Sequence, residues 1–141
     1  MSQEDLPRQF AELAAERLRK IEEAVLRLES DPSEEVSRTA LRELHSLKGE
    51  ARMMRSQEIT LLVHEMEELV RAVEPAGFAL SAESTDALLA ARDAVMVFSG
   101  AAHASTSPPD AQKLIEHLKA RTAAELKEVE GRSRGGGGQQ P

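Results

Sequence analysis

The sequence predicts an all-α protein, an up-and-down antiparallel four-helix bundle with an additional C-terminal fifth helix. Three observations carry this expectation. Apolar residues recur every three or four positions through five separate stretches, the spacing of a one-sided helix face. The breaks between the stretches are rich in Ser, Pro, Gly and Asp, residues that cap helices or stop them. Aromatic residues make up only 2% of the chain, three Phe with no Trp or Tyr, too few for most all-β cores.

The first helix is expected over about 6–29, with Phe10, Leu13, Ala14, Leu18, Ile21, Val25 and Leu28 inward and Pro7 in a first turn that tolerates it. Ser30 to Ser33 form a turn whose Ser33 caps the second helix, with Glu34 and Glu35 placed favourably against its dipole. That helix runs over about 34–54, burying Val36, Ala40, Leu44, Leu47, Ala51 and Met54. Arg55-Ser56-Gln57 is a short break, so the third helix, carrying Ile59, Leu62, Val63, Met66, Leu69, Val70 and Val73 inward, is the antiparallel neighbour of the second. It ends at Pro75-Ala76-Gly77. Ser81 or Ser84 then opens the fourth, with Leu88, Ala91, Val95 and Phe98 at helical spacing. After a loop from Gly100 to Pro109, Pro108, Pro109 and Asp110 start the fifth, with Leu114, Ile115, Leu118, Leu126 and Val129 as its stripe. Met53 and Met54 read as core filling. The expected domain is 1–130. Residues 131–141, Gly-rich and without an apolar side chain, read as a flexible linker to a following module.

Composition narrows the function. The 141 residues amount to one domain, and a net charge of -7 argues against broad electrostatic binding of nucleic acid or an anionic membrane. With no cysteine there is no disulfide, thiolate metal site or cysteine nucleophile, which suits the cytoplasm. No secretory leader or membrane span is visible, and the phosphate-loop, dinucleotide, zinc-protease and nucleophile-elbow motifs are all missing.

One constellation carries chemistry. If Val36, Ala40, Leu44, Leu47 and Ala51 face the core, then Arg38, Arg42, His45, Lys48, Gly49 and Arg52 form the adjoining stripe, which places His45 at the exposed edge of the core. Lys48 follows one turn later, where an ammonium can neutralise an anion attached to the ring. Gly49 costs about 1 kcal/mol relative to alanine in a helix interior, and clearance for an approaching partner is the simplest reason for it. In a hairpin centred near residue 56, His45 lies level with the neighbourhood of Met66, beside which His64 and Glu67 sit three apart together with Glu68 and Arg71. A carboxylate there can accept the Nδ1 proton of His45 and leave the Nε2 lone pair outward as a nucleophile, an arrangement suited to accepting a phosphoryl group. Charge is segregated accordingly. Residues 38–55 carry five basic against two acidic side chains, and residues 56–74 carry five acidic against one basic.

The string His45-Ser46-Leu47-Lys48-Gly49-Glu50-Ala51, followed by His64 and Glu67, resembles the motif of the histidine phosphotransfer (HPt) domains, specifically the N-terminal HPt domain of CheA-type chemotaxis histidine kinases. The resemblance spans the five-helix layout and is densest over about 41–70. It implies that His45 is the phosphoacceptor, taking a phosphoryl group at Nε2 from an ATP-binding kinase domain and giving it to an aspartate of a response regulator receiver domain. It also implies that Lys48 lies near the phosphate, that Gly49 gives the partner clearance, and that Glu67, as the Nδ1 hydrogen-bond acceptor, and His64 support the ring. The chain departs from that family in having Arg55 where glycine is usual and Glu50 where a small residue is common.

By this reading the chain is not an enzyme by itself. It is the phosphoacceptor part of a kinase, with Mg-ATP on the partner and no cofactor or metal of its own, monomeric as an isolated domain, and it serves chemotaxis-like motility signalling. A stand-alone phosphorelay protein and a non-catalytic helical interaction module are the alternatives. A di-iron bundle would need Glu-x-x-His on two helices, and this chain offers one reversed copy from His64 to Glu67. His103 and His117 read as surface residues.

Overall fold

A computed structural model of the chain describes residues 5–103 and 107–139, with side chains up to Arg132. It contains five helices, α1 (Leu6–Ser30), α2 (Glu34–Met53), α3 (Gln57–Ala72), α4 (Ala82–Phe98) and α5 (Ala111–Gln139), with a 3-10 turn at Glu74–Ala76 and no strand among the described residues. The caps fall where side-chain chemistry puts them. Ser33 accepts a hydrogen bond from the Val36 amide at 3.2 Å, and Ser81 one from the Ser84 amide at 3.2 Å, so of the two candidate serines Ser81 starts α4.

α2 packs between α1 and α3, α4 closes the bundle against α1 and α3, and α5 lies across α3 and α4. Successive helices run antiparallel. The Leu80 amide at the start of α4 donates to the Leu28 carbonyl near the end of α1 at 3.1 Å, and Arg17 in mid-α1 reaches Glu43 and Glu50 on α2. The core is aliphatic and continuous, with Leu18, Ile21, Leu28, Leu44, Leu47, Ile59, Leu62, Met66, Leu69, Leu88 and Leu118 among its fully buried side chains.

Three apolar side chains expected inside are at the surface: Leu13, Leu126 and Met53, the last 84% exposed. Periodicity sets the width of an apolar stripe but not which of its edges meets a neighbour. Leu13 and Met53 lie beyond the α1–α2 seam, where they form an apolar rim with Leu6 and Phe10. In place of Leu126, α5 buries Glu125, whose Oε1 lies 3.5 Å from Arg121. Glu125 is the last buried residue of α5 among those whose side chains are described, although the helix continues to Gln139, over the segment where the sequence reading places a linker.

The end of α2 explains one unusual residue. The Ser56 amide donates to the Ala51 carbonyl at 2.9 Å and the Arg55 amide to Arg52 at 3.0 Å, the paired closure of a helix whose next residue is left-handed. That residue is Arg55, at φ +58°, a conformation glycine adopts without penalty and a side chain does not. Arg55→Gly is therefore expected to raise stability by about 1 kcal/mol, read as a higher urea midpoint at unchanged slope. An unchanged midpoint would show that the arginine is not strained there.

Candidate functional site

His45 sits near the middle of α2 with 74% of its side chain exposed, on a helix whose opposite face is locked into the core by Leu44 and Leu47. Its ring is therefore presented on a rigid support with most of the side chain open to solvent. Four residues on, Gly49 is also exposed, and a Cβ built there meets nothing within 4 Å. The fold itself does not require glycine at this position. Gly49→Ala is expected to stabilise the isolated domain by about 1 kcal/mol in thermal melts, and, if clearance for a partner is the reason for the glycine, to slow a reaction of His45 with that partner. Equal reaction rates for the two forms would remove clearance as the reason for the glycine.

Behind His45 stands Glu67 of α3, which has no solvent exposure. A buried carboxylate requires counter-charge, and two cations supply it. Lys48 Nζ lies 2.7 Å from Oε1, and Arg71 Nη2 lies 3.3 Å from Oε2. The Lys48 contact is an ion contact, off the direction of a hydrogen bond, so Oε1 has no hydrogen-bond partner among the described residues. His45 Nδ1 is 3.9 Å from Oε2, which places the carboxylate on the correct side of the ring but beyond hydrogen-bond length. The direct bond expected from the sequence is absent from this arrangement, in which Oε2 accepts from Arg71 at 3.3 Å.

Lys48 also differs from expectation. Helical spacing puts it on the stripe of His45 adjoining the core, but only 11% of its side chain is accessible, and its ammonium is turned inward to Glu67. It remains one helical turn from His45. His64 is exposed on α3, and no hydrogen bond or ion pair joins it to His45. His103 and His117 are exposed, as read from the sequence. Among the described residues no group of three or more acidic or histidine side chains is arranged to hold a metal ion, and no helix is long and apolar enough to cross a membrane.

Sequence reasoning missed the contact that fixes α2 against α1. Arg17 grips Glu50 with two parallel hydrogen bonds of 2.7 and 2.8 Å and reaches Glu43 at 3.1 Å. Hydrogen bonding by Glu50 raises the Arg17 guanidinium above its ordinary pKa, so the clamp stays charged. Glu50 thus has a structural partner in this chain, and it lies next to Gly49 on the side turned towards α1. The sequence signal was present as an arginine in mid-α1 and two glutamates seven apart on α2, but nothing in one strand of letters pairs them.

The site is thus an exposed imidazole in the middle of α2, with a buried carboxylate of α3 behind it and a lysine and a glycine one turn along the same helix. The family model of the Hpt domain matches residues 5–96, more than half of the chain, and the chain belongs to that family. Hpt domains carry phosphoryl groups between kinases and response regulators and are carriers in that exchange, without catalytic machinery of their own. The chain is 35% identical over 114 residues to a gliding motility regulatory protein of Myxococcus xanthus, a match that covers 80% of this chain and 14% of that much longer protein. No solved structure matches the chain significantly.

Proposed function

We propose that the chain is the phosphoacceptor module of a CheA-like two-component kinase in motility control, with His45 as the residue that carries the phosphoryl group. The observation that carries this reading is the placement of His45, a mid-helix imidazole with 74% of its side chain exposed and the Glu67 carboxylate on its Nδ1 side. In the forward step the Nε2 lone pair attacks the γ-phosphorus of ATP held by a kinase domain. The Nε2–P bond forms as the bond from phosphorus to the β–γ bridging oxygen breaks, and ADP leaves with that electron pair. The ring keeps its Nδ1 hydrogen and becomes cationic, which a carboxylate on that side stabilises. In the return step a carboxylate oxygen of a receiver-domain aspartate attacks phosphorus, and the electron pair of the breaking N–P bond returns to Nε2.

Magnesium and ATP belong to the kinase domain in this scheme, and the setting is the cytoplasm, where ATP is available. Lys48, one turn from His45, holds the Glu67 carboxylate and would have to turn outward to meet the phosphoryl group, Gly49 lets the partner close on the ring, and His64 lies at the edge of the docking face. The motility reading is supported by the relative in Myxococcus, and membership of a larger protein by the small share of that relative which the match covers.

The test is incubation with Mg-ATP and a CheA-type kinase core already shown to phosphorylate its own HPt domain, followed by intact mass. Acid-labile gain of one phosphoryl group on His45 is the expected result. No gain with that active kinase would leave a helical interaction module as the better account.

A further inference from the structure

Glu67 Oε2 faces two nitrogen donors on different helices. Nη2 of Arg71, one turn further along α3, donates to it at 3.3 Å, while Nδ1 of His45 on α2 waits at 3.9 Å. Oε1 makes the ion contact of 2.7 Å with the Lys48 ammonium, and Oε2 is the oxygen that lies 3.9 Å from the His45 ring. Closing the gap between Oε2 and the imidazole to hydrogen-bond length takes a movement of about 1 Å by the carboxylate or the ring.

The members of this group are not equally free to move. Glu67 and Lys48 are enclosed, whereas 48% of the Arg71 side chain is accessible, and its Nη1 already makes a second, longer contact of 3.4 Å with the half-exposed Glu68. Arg71 can therefore be drawn away from Oε2 without opening the core, either towards Glu68 or towards an acidic surface brought by a partner.

We infer that Arg71 is a positioning residue that competes with His45 for Glu67 Oε2, holding the carboxylate short of the ring in the resting domain and releasing it to accept the Nδ1 hydrogen when Arg71 is drawn off. Its consequence for phosphorylation rests on the phosphoacceptor reading above. The competition itself does not.

The two are separated by reading the ring nitrogens of His45 directly. In 15N NMR of the whole chain, at a pH where the imidazole is neutral, Arg71→Gln is expected to raise the ratio of Nδ1–H to Nε2–H tautomer roughly threefold, the size of one modest ion-pair contact. Arg71→Lys, which keeps a cation four residues beyond Glu67, should keep the wild-type ratio. Glu68→Gln, which removes the second partner of Arg71, should shift the ratio the opposite way. A residue that merely supports the fold would not sort these variants by charge. An unchanged ratio in Arg71→Gln, or an equal shift in Arg71→Gln and Arg71→Lys, overturns the inference. With an active kinase, Arg71→Gln should also be phosphorylated faster by a similar factor. Failure of the wild type to be phosphorylated at all would refute the phosphoacceptor reading and leave the tautomer result standing.

Discussion

Replacement of His45 by Gln is expected to reduce phosphoryl acceptance to background, a loss of at least about 100-fold, while thermal stability moves by less than about 0.5 kcal/mol. The two halves of this expectation have separate physical grounds. Chemically, the glutamine amide nitrogen has its lone pair delocalised into the carbonyl and cannot attack phosphorus. Structurally, the His45 side chain is 74% exposed and has no hydrogen-bond partner among the described residues, so its removal leaves neither a cavity nor an orphaned partner. Intact mass after incubation with the kinase, paired with a circular-dichroism melt, reads both. Residual acid-labile phosphate on the folded variant would mean that another residue is the acceptor.

Glu67 should behave in the opposite way, with stability failing alongside reactivity. From the sequence it reads as the hydrogen-bond acceptor of His45 on the stripe beside Met66, with folding largely preserved when it is replaced by alanine. Its complete burial between Lys48 and Arg71 changes that expectation. Glu67→Ala leaves the nearly buried Lys48 ammonium without its counter-ion, a change that typically costs about 3–5 kcal/mol and should lower the melting temperature by roughly 10 °C or more. The double variant Glu67→Ala with Lys48→Met removes the stranded charge and is expected to recover most of that loss, since an apolar pair of similar volume often replaces a buried ion pair at no cost. Phosphorylation of the double variant should nonetheless stay slow, because the ring has lost the carboxylate on its Nδ1 side. A single variant as stable as the wild type would show that water reaches Lys48 freely. A double variant phosphorylated at the wild-type rate would take both residues out of the mechanism.

The comparison of sequence with structure follows the same division. The four bundle helices begin and end within a residue or two of their expected limits, because Ser33, Pro7 and Ser81 are local signals and the apolar repeat has one period. The motif around His45 was readable for a similar reason, since residues three and four apart on one helix must share a face. What stayed hidden depended on the neighbour. Glu43, Lys48, Glu67 and Glu125 are polar letters flanking apolar stripes, and only the partner helix decides that they are buried. The clamp of Arg17 on Glu50 joins residues 33 apart in the chain, and the competition at Glu67 Oε2 is settled by ångströms that no spacing rule contains. Arg55 was visible as a departure from the family pattern. Its left-handed backbone was not.

The exposed position of His45 on the rounded flank of α2 has a further consequence. A reactive group sunk in a cleft must wait for its partner to back out before the next can enter, and residence time then limits throughput. A group on a convex surface is met by whatever concave site diffuses to it, with only one ring left to immobilise, so each complex can be small and short-lived and still productive. Traffic through such a carrier is governed by how often partners collide with it, which makes their local concentration, more than their affinity, the quantity a cell would adjust.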